Sequence, residues 1–166
     1  MLRSSNKIIA EFNGVTLGVD PNVLTNGSST IDDVIDWIDK PSSLPLGVTL
    51  PDKLVLPEDI LQRDSMLSAL RRSIMNGPFW LRLVAARTLG TFRDLENAPA
   101  LIFALSDPDY RVAKAARDSL RFVSRKPEGF GFKGGNEPPE KAVWAQAQAD
   151  WTSWLLSVKP NAELIQ

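Results

Sequence analysis

Apolar positions recur at helical spacing through the second two thirds of the chain, and they do so twice. Met66, Leu67, Leu70 and Ile74 are spaced by three and four, the rhythm of one buried helix face. The turn Asn76-Gly77-Pro78 breaks that run, and Trp80–Phe92 reads as its antiparallel partner helix. The same order returns 31 positions later. Leu70 and Ile74 fall on Leu101 and Leu105, and Asn76-Gly77 falls on Asp107-Pro108. In the second helix Leu81 falls on Val112, Ala85 on Ala116, Thr88 on Ser119, Leu89 on Leu120 and Phe92 on Val123. The pattern therefore predicts a second pair of helices, Ala98–Leu105 and Tyr110–Ser124, around the turn Ser106-Asp107-Pro108-Asp109. A self-match at this period marks a helical-hairpin repeat, a unit that buries its apolar face by stacking on a neighbour.

The flanks read differently. Asn13-Gly14 stands between two β-rich runs, Lys7–Phe12 and Val15–Val19, and predicts a hairpin with a type I′ turn. Ser29 or Thr30 can cap a short helix running to Lys40, with Val34, Ile35, Trp37 and Ile38 on its apolar side. Pro41, Pro45, Pro51 and Pro57 then punctuate an extended arm with Leu- and Val-rich pieces that need a surface to lie on. Pro57-Glu58-Asp59 has the composition of a helix's first turn, and Asp107 that of a cap before Pro108. Beyond Ser124, residues 125–139 are irregular and rich in Gly, with Phe130 and Phe132 expected to plug into the body. Glu140–Val158 is a closing helix whose Trp144, Trp151 and Trp154 share one stripe, expected to be core.

A length of 166 residues suffices for a buried core, and the apolar and charged fractions, 43% and 23%, are those of a globular chain. The start, MLRSSNKIIAEFNG, lacks the apolar region of a secretory signal, and no window is apolar enough to span a bilayer. A cytoplasmic location is the default. The sequence contains neither Cys nor His. The commonest general base, the commonest transition-metal ligand and the thiolate nucleophile are thereby removed, and no enzyme, cofactor or metal is expected. Charge is unevenly placed. Residues 1–60 hold 4 Lys/Arg against 9 Asp/Glu, residues 61–126 hold 12 against 6, and residues 127–166 hold 3 against 5. The repeat region is basic and its flanks acidic.

The stretch LVAARTLGTFRDLENAPALIFALSDPDYRVAKAARDSLRFV, with small residues inside the second helix and Asp-Pro in the turn, resembles HEAT repeats of the short bacterial type. Leu67–Phe92 resembles a weaker copy. The likeness covers roughly Met66 to Ser124. The tail, LRFVSRKPEGFGF followed by W-x6-W-x2-W, is similar to the ends of HEAT-repeat proteins common in planctomycete-like bacteria. The Arg that the family places after the first Val or Leu of its second helix is present as Arg82; the second unit has Ala113 there, with Lys114 adjacent. The resemblance implies a mainly α fold, a short α-solenoid of HEAT-like hairpins. The N-terminal hairpin and arm (residues 1–57) and the Trp-rich last helix of residues 58–166 would act as its caps. It also implies partner binding rather than a defined activity.

On that frame the candidate partner-binding residues are Arg82, Arg87, Lys114, Arg117, Arg121 and Arg125, with Phe79 and Trp80. Lys114, Arg117, Arg121 and Arg125 follow spacings of three, four and four and predict one basic helix face, suited to acidic proteins or phosphate backbones. The plainer reading is a solvated face paired with Asp94, Asp109 and Asp118. Phe79 and Trp80, beside the Gly-Pro turn, can be an exposed anchor or a helix-start staple. Asp32, Asp33, Asp36 and Asp39 spread around their helix as a solvated start rather than a metal loop. The expectation is a non-catalytic protein-interaction or assembly module, a subunit of a larger complex. Nucleic-acid backbone binding is the alternative. A lyase or chromophore-handling role is a further one, which the absence of Cys and His disfavours.

Overall fold

The computed structural model describes residues 31–40, 52–131 and 135–165. Among these the chain is mainly helical, with six α-helices, one short 3-10 helix and no strand. The expected hairpin, Lys7–Phe12 and Val15–Val19, lies outside the described residues, as do Phe132 and positions 41–51 of the arm. The chain divides into two compact units, Met1–Thr88 and Leu89–Gln166.

In the described part of the first unit, α1 spans Ile31–Asp39, α2 Ile60–Asn76 and α3 Phe79–Leu89. Val34, Trp37 and Ile38, at i, i+3 and i+4, are buried, and α1 lies against α2. At the edge of that contact Arg72 grips Asp39 with two parallel bonds, Nε to Oδ1 at 3.1 Å and Nη2 to Oδ2 at 3.0 Å. Both side chains are partly in water, so the pair contributes about 1 kcal/mol at most and serves mainly to hold the helices in register. Helix α2 begins later than its composition predicts. Asp59 stays extended and its carboxylate accepts the Gln62 N–H at 2.9 Å, so Pro57-Glu58-Asp59 is the lead-in and Asp59 the cap. Just before it, Leu54 is buried and its N–H donates to Thr88 Oγ1 at 2.9 Å, which ties the end of the Pro-punctuated arm to α3.

In the second unit a 3-10 helix at Leu95–Asn97 leads into α4, Ala98–Ala104, followed by α5, Tyr110–Ser124, and α6, Lys141–Val158. Helix α4 packs on both α5 and α6. Asn97 is fully buried, and its Nδ2 donates to the carbonyls of Leu89, the last residue of α3, and of Phe92 in the turn beyond it. The cap of α5 is Asp109, which accepts the Arg111 N–H at 2.9 Å, rather than Asp107. Asp107 accepts the Asp109 N–H instead and shapes the turn that delivers the cap. On α6 the buried positions are Ala147, Trp151 and Leu155, a stripe of i, i+4 and i+8. Trp151 is fully covered, with Phe130 edge-on at 4.8 Å and Trp154 at 5.5 Å between ring centroids. Trp144 and Trp154 flank it half-buried. The bond from Gln148 Nε2 to the Ile102 carbonyl, 3.1 Å, fixes α6 on α4.

The sequence repeat is expressed in burial. Helices α3 and α5 begin 31 positions apart, at Phe79 and Tyr110. Leu70 and Leu101 are both buried, as are Ile74 and Leu105, Leu81 and Val112, Ala85 and Ala116, Thr88 and Ser119, and Leu89 and Leu120. Two pairs of the register depart: Val123 is buried where Phe92 is half-exposed, and in the turn Asp107 is buried where Asn76 is exposed.

Candidate functional site

The eight residues singled out by sequence fall four to each unit. In the first unit, Phe79 and Trp80 open α3 half-buried. Trp80 packs on Trp37 with 5.9 Å between ring centroids, which makes it a staple between α1 and the start of α3 rather than a free anchor. Arg82 Nη1 donates to the Gly77 carbonyl at 3.0 Å, across the turn that separates α2 from α3. Arg87 Nη1 stands 3.6 Å from Asp52 Oδ1.

In the second unit Lys114, Arg117 and Arg121 of α5, with Arg125 at its C-cap, do not form one face. At about 100° per residue, Arg121 stays within about 20° of Lys114, whereas Arg117 is rotated by about 60°. That rotation puts Arg117 four residues after Ala113 and three before Leu120, inside the buried arc. It is 7% exposed, and its Nη1 meets Asp118 Oδ1 at 2.7 Å. Lys114 is half-buried.

The residues that do come together lie where α5 ends. Arg121 and Arg125 line an open groove of about 630 Å³ with Arg93, Phe122, Pro127 and Asp118. Arg93, four residues beyond the end of α3, reaches this place because the Leu89–Asn97 segment runs beside the C-terminal half of α5. Gly90 sits so close to α5 that a Cβ there would be 2.8 Å from Ser119 Cα. The Arg93 guanidinium stacks 4.1 Å above the Phe122 ring, and its Nε donates to the Phe122 carbonyl at 3.1 Å. Arg121 is held in the same manner, its Nε donating to the Pro127 carbonyl. The turn after α5 also presses on the Arg121 stem. Gly129, at φ 60°, has so little room that a Cβ would meet Arg121 Cγ at 2.9 Å and Trp151 Cζ2 at 3.1 Å.

Arg125 closes the helix. Its own N–H bonds the Phe122 carbonyl at 3.2 Å, and the next N–H, of Lys126, bonds the Arg121 carbonyl at 3.1 Å. This is a Schellman cap, whose central position is normally glycine because it is left-handed. Here it holds Arg125 at φ 57°, ψ 30°, the one non-glycine residue with positive φ among the described residues.

The groove thus carries three guanidiniums against one carboxylate, beside an exposed aromatic ring. Two of the guanidiniums are fixed through Nε. Among the described residues no acceptor meets the Nη atoms of Arg93 or Arg121, or any guanidinium nitrogen of Arg125. Free planar forks held by their stems are arranged to take up an oxyanion with two parallel hydrogen bonds. No three acidic side chains converge as a metal site would need among the described residues, and no described helix is long and apolar enough to cross a membrane.

Arg93 and Phe122 are the members that sequence reading passed over. Arg93 has no basic counterpart in the repeat register, and its place beside Phe122 is a contact across 29 residues. Phe122 did leave a trace: it stands beside the α5 stripe of Val112, Ala116, Leu120 and Val123, so its ring is not needed for the core. No protein-family model matches the chain, and no curated protein matches it in sequence.

Proposed function

We propose that this chain is a non-catalytic interaction module, built as a short HEAT-like stack and working as a subunit of a larger assembly. The observation that supports this reading most is the matched burial of repeat-equivalent positions from Leu70/Leu101 to Leu89/Leu120. Two copies of one hairpin design are the economy of a scaffold, which builds surface by repetition rather than a pocket by convergence. The most chemically equipped place described is an open basic groove, which suits docking, and its one carboxylate, Asp118, is already engaged by Arg117. The same groove gives the second reading, contact with a nucleic-acid backbone, its one specific support.

The test is isolation of the protein from the cells that make it, under gentle conditions, with sizing by light scattering and mass spectrometry of the material that accompanies it. A stoichiometric assembly is expected. A clean monomer with nothing bound would contradict the proposal.

A further inference from the structure

We infer that the groove at the end of α5 is a docking site for an acidic segment of a partner protein, its carboxylates taken up by Arg93, Arg121 and Arg125. The inference rests on the interaction-module reading and narrows it to one surface and one chemistry.

Two independent observations point to the groove. The first is pre-organisation. Arg93 is locked by stacking on Phe122 and by its Nε bond, and Arg121 by Pro127 and the close pass of Gly129. Long side chains normally lose rotamer freedom on binding, and these two have already lost much of it in the free protein. A merely solvated arginine has no need of such support.

The second is the backbone of Arg125. Left-handed φ and ψ disfavour any residue with a Cβ, and a glycine would close this Schellman cap without strain. Arginine in that position projects a cation from the helix terminus into the groove, at a cost to the fold that no bond of its guanidinium within the described residues offsets. A residue tolerated against local preference is the mark of a constraint other than folding.

Charge and size select the occupant. Three guanidiniums against Asp118 leave a modest excess of positive charge over one short groove. A nucleic-acid backbone is gripped by a long track of phosphate contacts, and the track along α5 is interrupted where Arg117 turns inward. Two or three carboxylates, with an apolar side chain on Phe122 and Pro127, match what is there.

The test titrates the full chain into a fluorescein-labelled Glu-rich peptide at low and moderate salt, followed by anisotropy. The Gln-for-Glu peptide and a single-stranded DNA oligonucleotide of equal net charge are run alongside. The key variant is Arg125→Gly. Arg111→Gln removes the same charge from an exposed residue outside the groove, one already paired with Asp109 at 2.9 Å. The Glu peptide is expected to bind, the Gln peptide not to, and the oligonucleotide to compete poorly. Arg125→Gly should weaken peptide binding by about tenfold or more, the effect of losing a charge-assisted bond. Because it relieves the left-handed residue, its Tm should be equal to or above that of the parent. Arg111→Gln should change binding little.

Absence of peptide binding at low salt would overturn the inference, as would equal weakening by the two variants. Preference for the oligonucleotide would assign the groove to nucleic acid instead. The two levels separate cleanly. Arg125→Gly protein that still enters the native assembly sinks the groove and leaves the module reading standing, whereas absence of any assembly sinks the reading itself.

Discussion

Single residues carry most of what distinguishes this molecule from a generic helical fold, and Tyr110 can be followed alone because it is the one tyrosine in the sequence. Its hydroxyl donates to the Gly135 carbonyl at 2.7 Å, and its ring lies 6.1 Å from that of Trp144. Burial raises its pKa above the ordinary tyrosine value; the Arg117 charge opposes that shift and the Asp118 carboxylate adds to it. A raised folded-state pKa means that the neutral phenol is the form the fold favours. Its contribution is therefore complete below the ordinary tyrosine pKa and is lost as pH rises through the higher, folded value. Phenolate absorbance of the native protein should titrate at higher pH than that of the denatured chain. Coincident midpoints would show that the phenol is not held by the fold. Arg125 stands out in the sequence by its charge, but its left-handed backbone does not. Nothing in its neighbours announces that the last turn of α5 will close on a left-handed arginine, because Schellman closure is normally read from a glycine.

At the scale of elements, hydrophobic spacing located the helices well and capping chemistry moved their ends. Helix α5 covers Tyr110–Ser124 as the pattern predicts, since Asp109 supplies the cap and Val112, Ala116, Leu120 and Val123 keep phase to the end. Helix α2 starts at Ile60 because the Asp59 carboxylate is better used outside the helix than within its first turn. The basic stripe that the spacing predicts is broken at Arg117 for a geometric reason. Spacings of three and four approximate one face, but a member reached by the step of three drifts by about 60°, which here is the difference between solvent and core. The link between Leu54 and α3 was invisible to periodicity, because it is a backbone-to-hydroxyl bond. Thr88 Oγ1 accepts the Leu54 N–H while donating to the Val84 carbonyl at 2.7 Å. Thr88→Val keeps the shape and strands a buried donor, so it should cost about 1–3 kcal/mol in denaturant unfolding. Thr88→Ser keeps the hydroxyl and should cost less. The reverse ranking would mean that the methyl group, not the bond, holds the arm.

For the whole molecule, repetition explains more than any one contact. Six pairs of equivalent positions from Leu70/Leu101 to Leu89/Leu120 are buried in both copies, so the repeat was readable from sequence as a burial register. Much of the groove was not. Arg121 and Arg125 stand out by charge, but Arg93, Phe122 and Pro127 join them only after the Leu89–Asn97 segment has run beside α5, and no local pattern encodes that approach. The absence of Cys and His from the sequence narrows the chemistry open to the chain. The most direct measurement of the central claim is hydrogen–deuterium exchange on this chain, compared between the isolated protein and the purified assembly. Slower exchange in the assembly is predicted at the amides of Arg125, Lys126 and Gly129 and in the segment around Arg93, where the groove would be covered. Unchanged exchange there, with protection appearing elsewhere on the chain, would contradict the account.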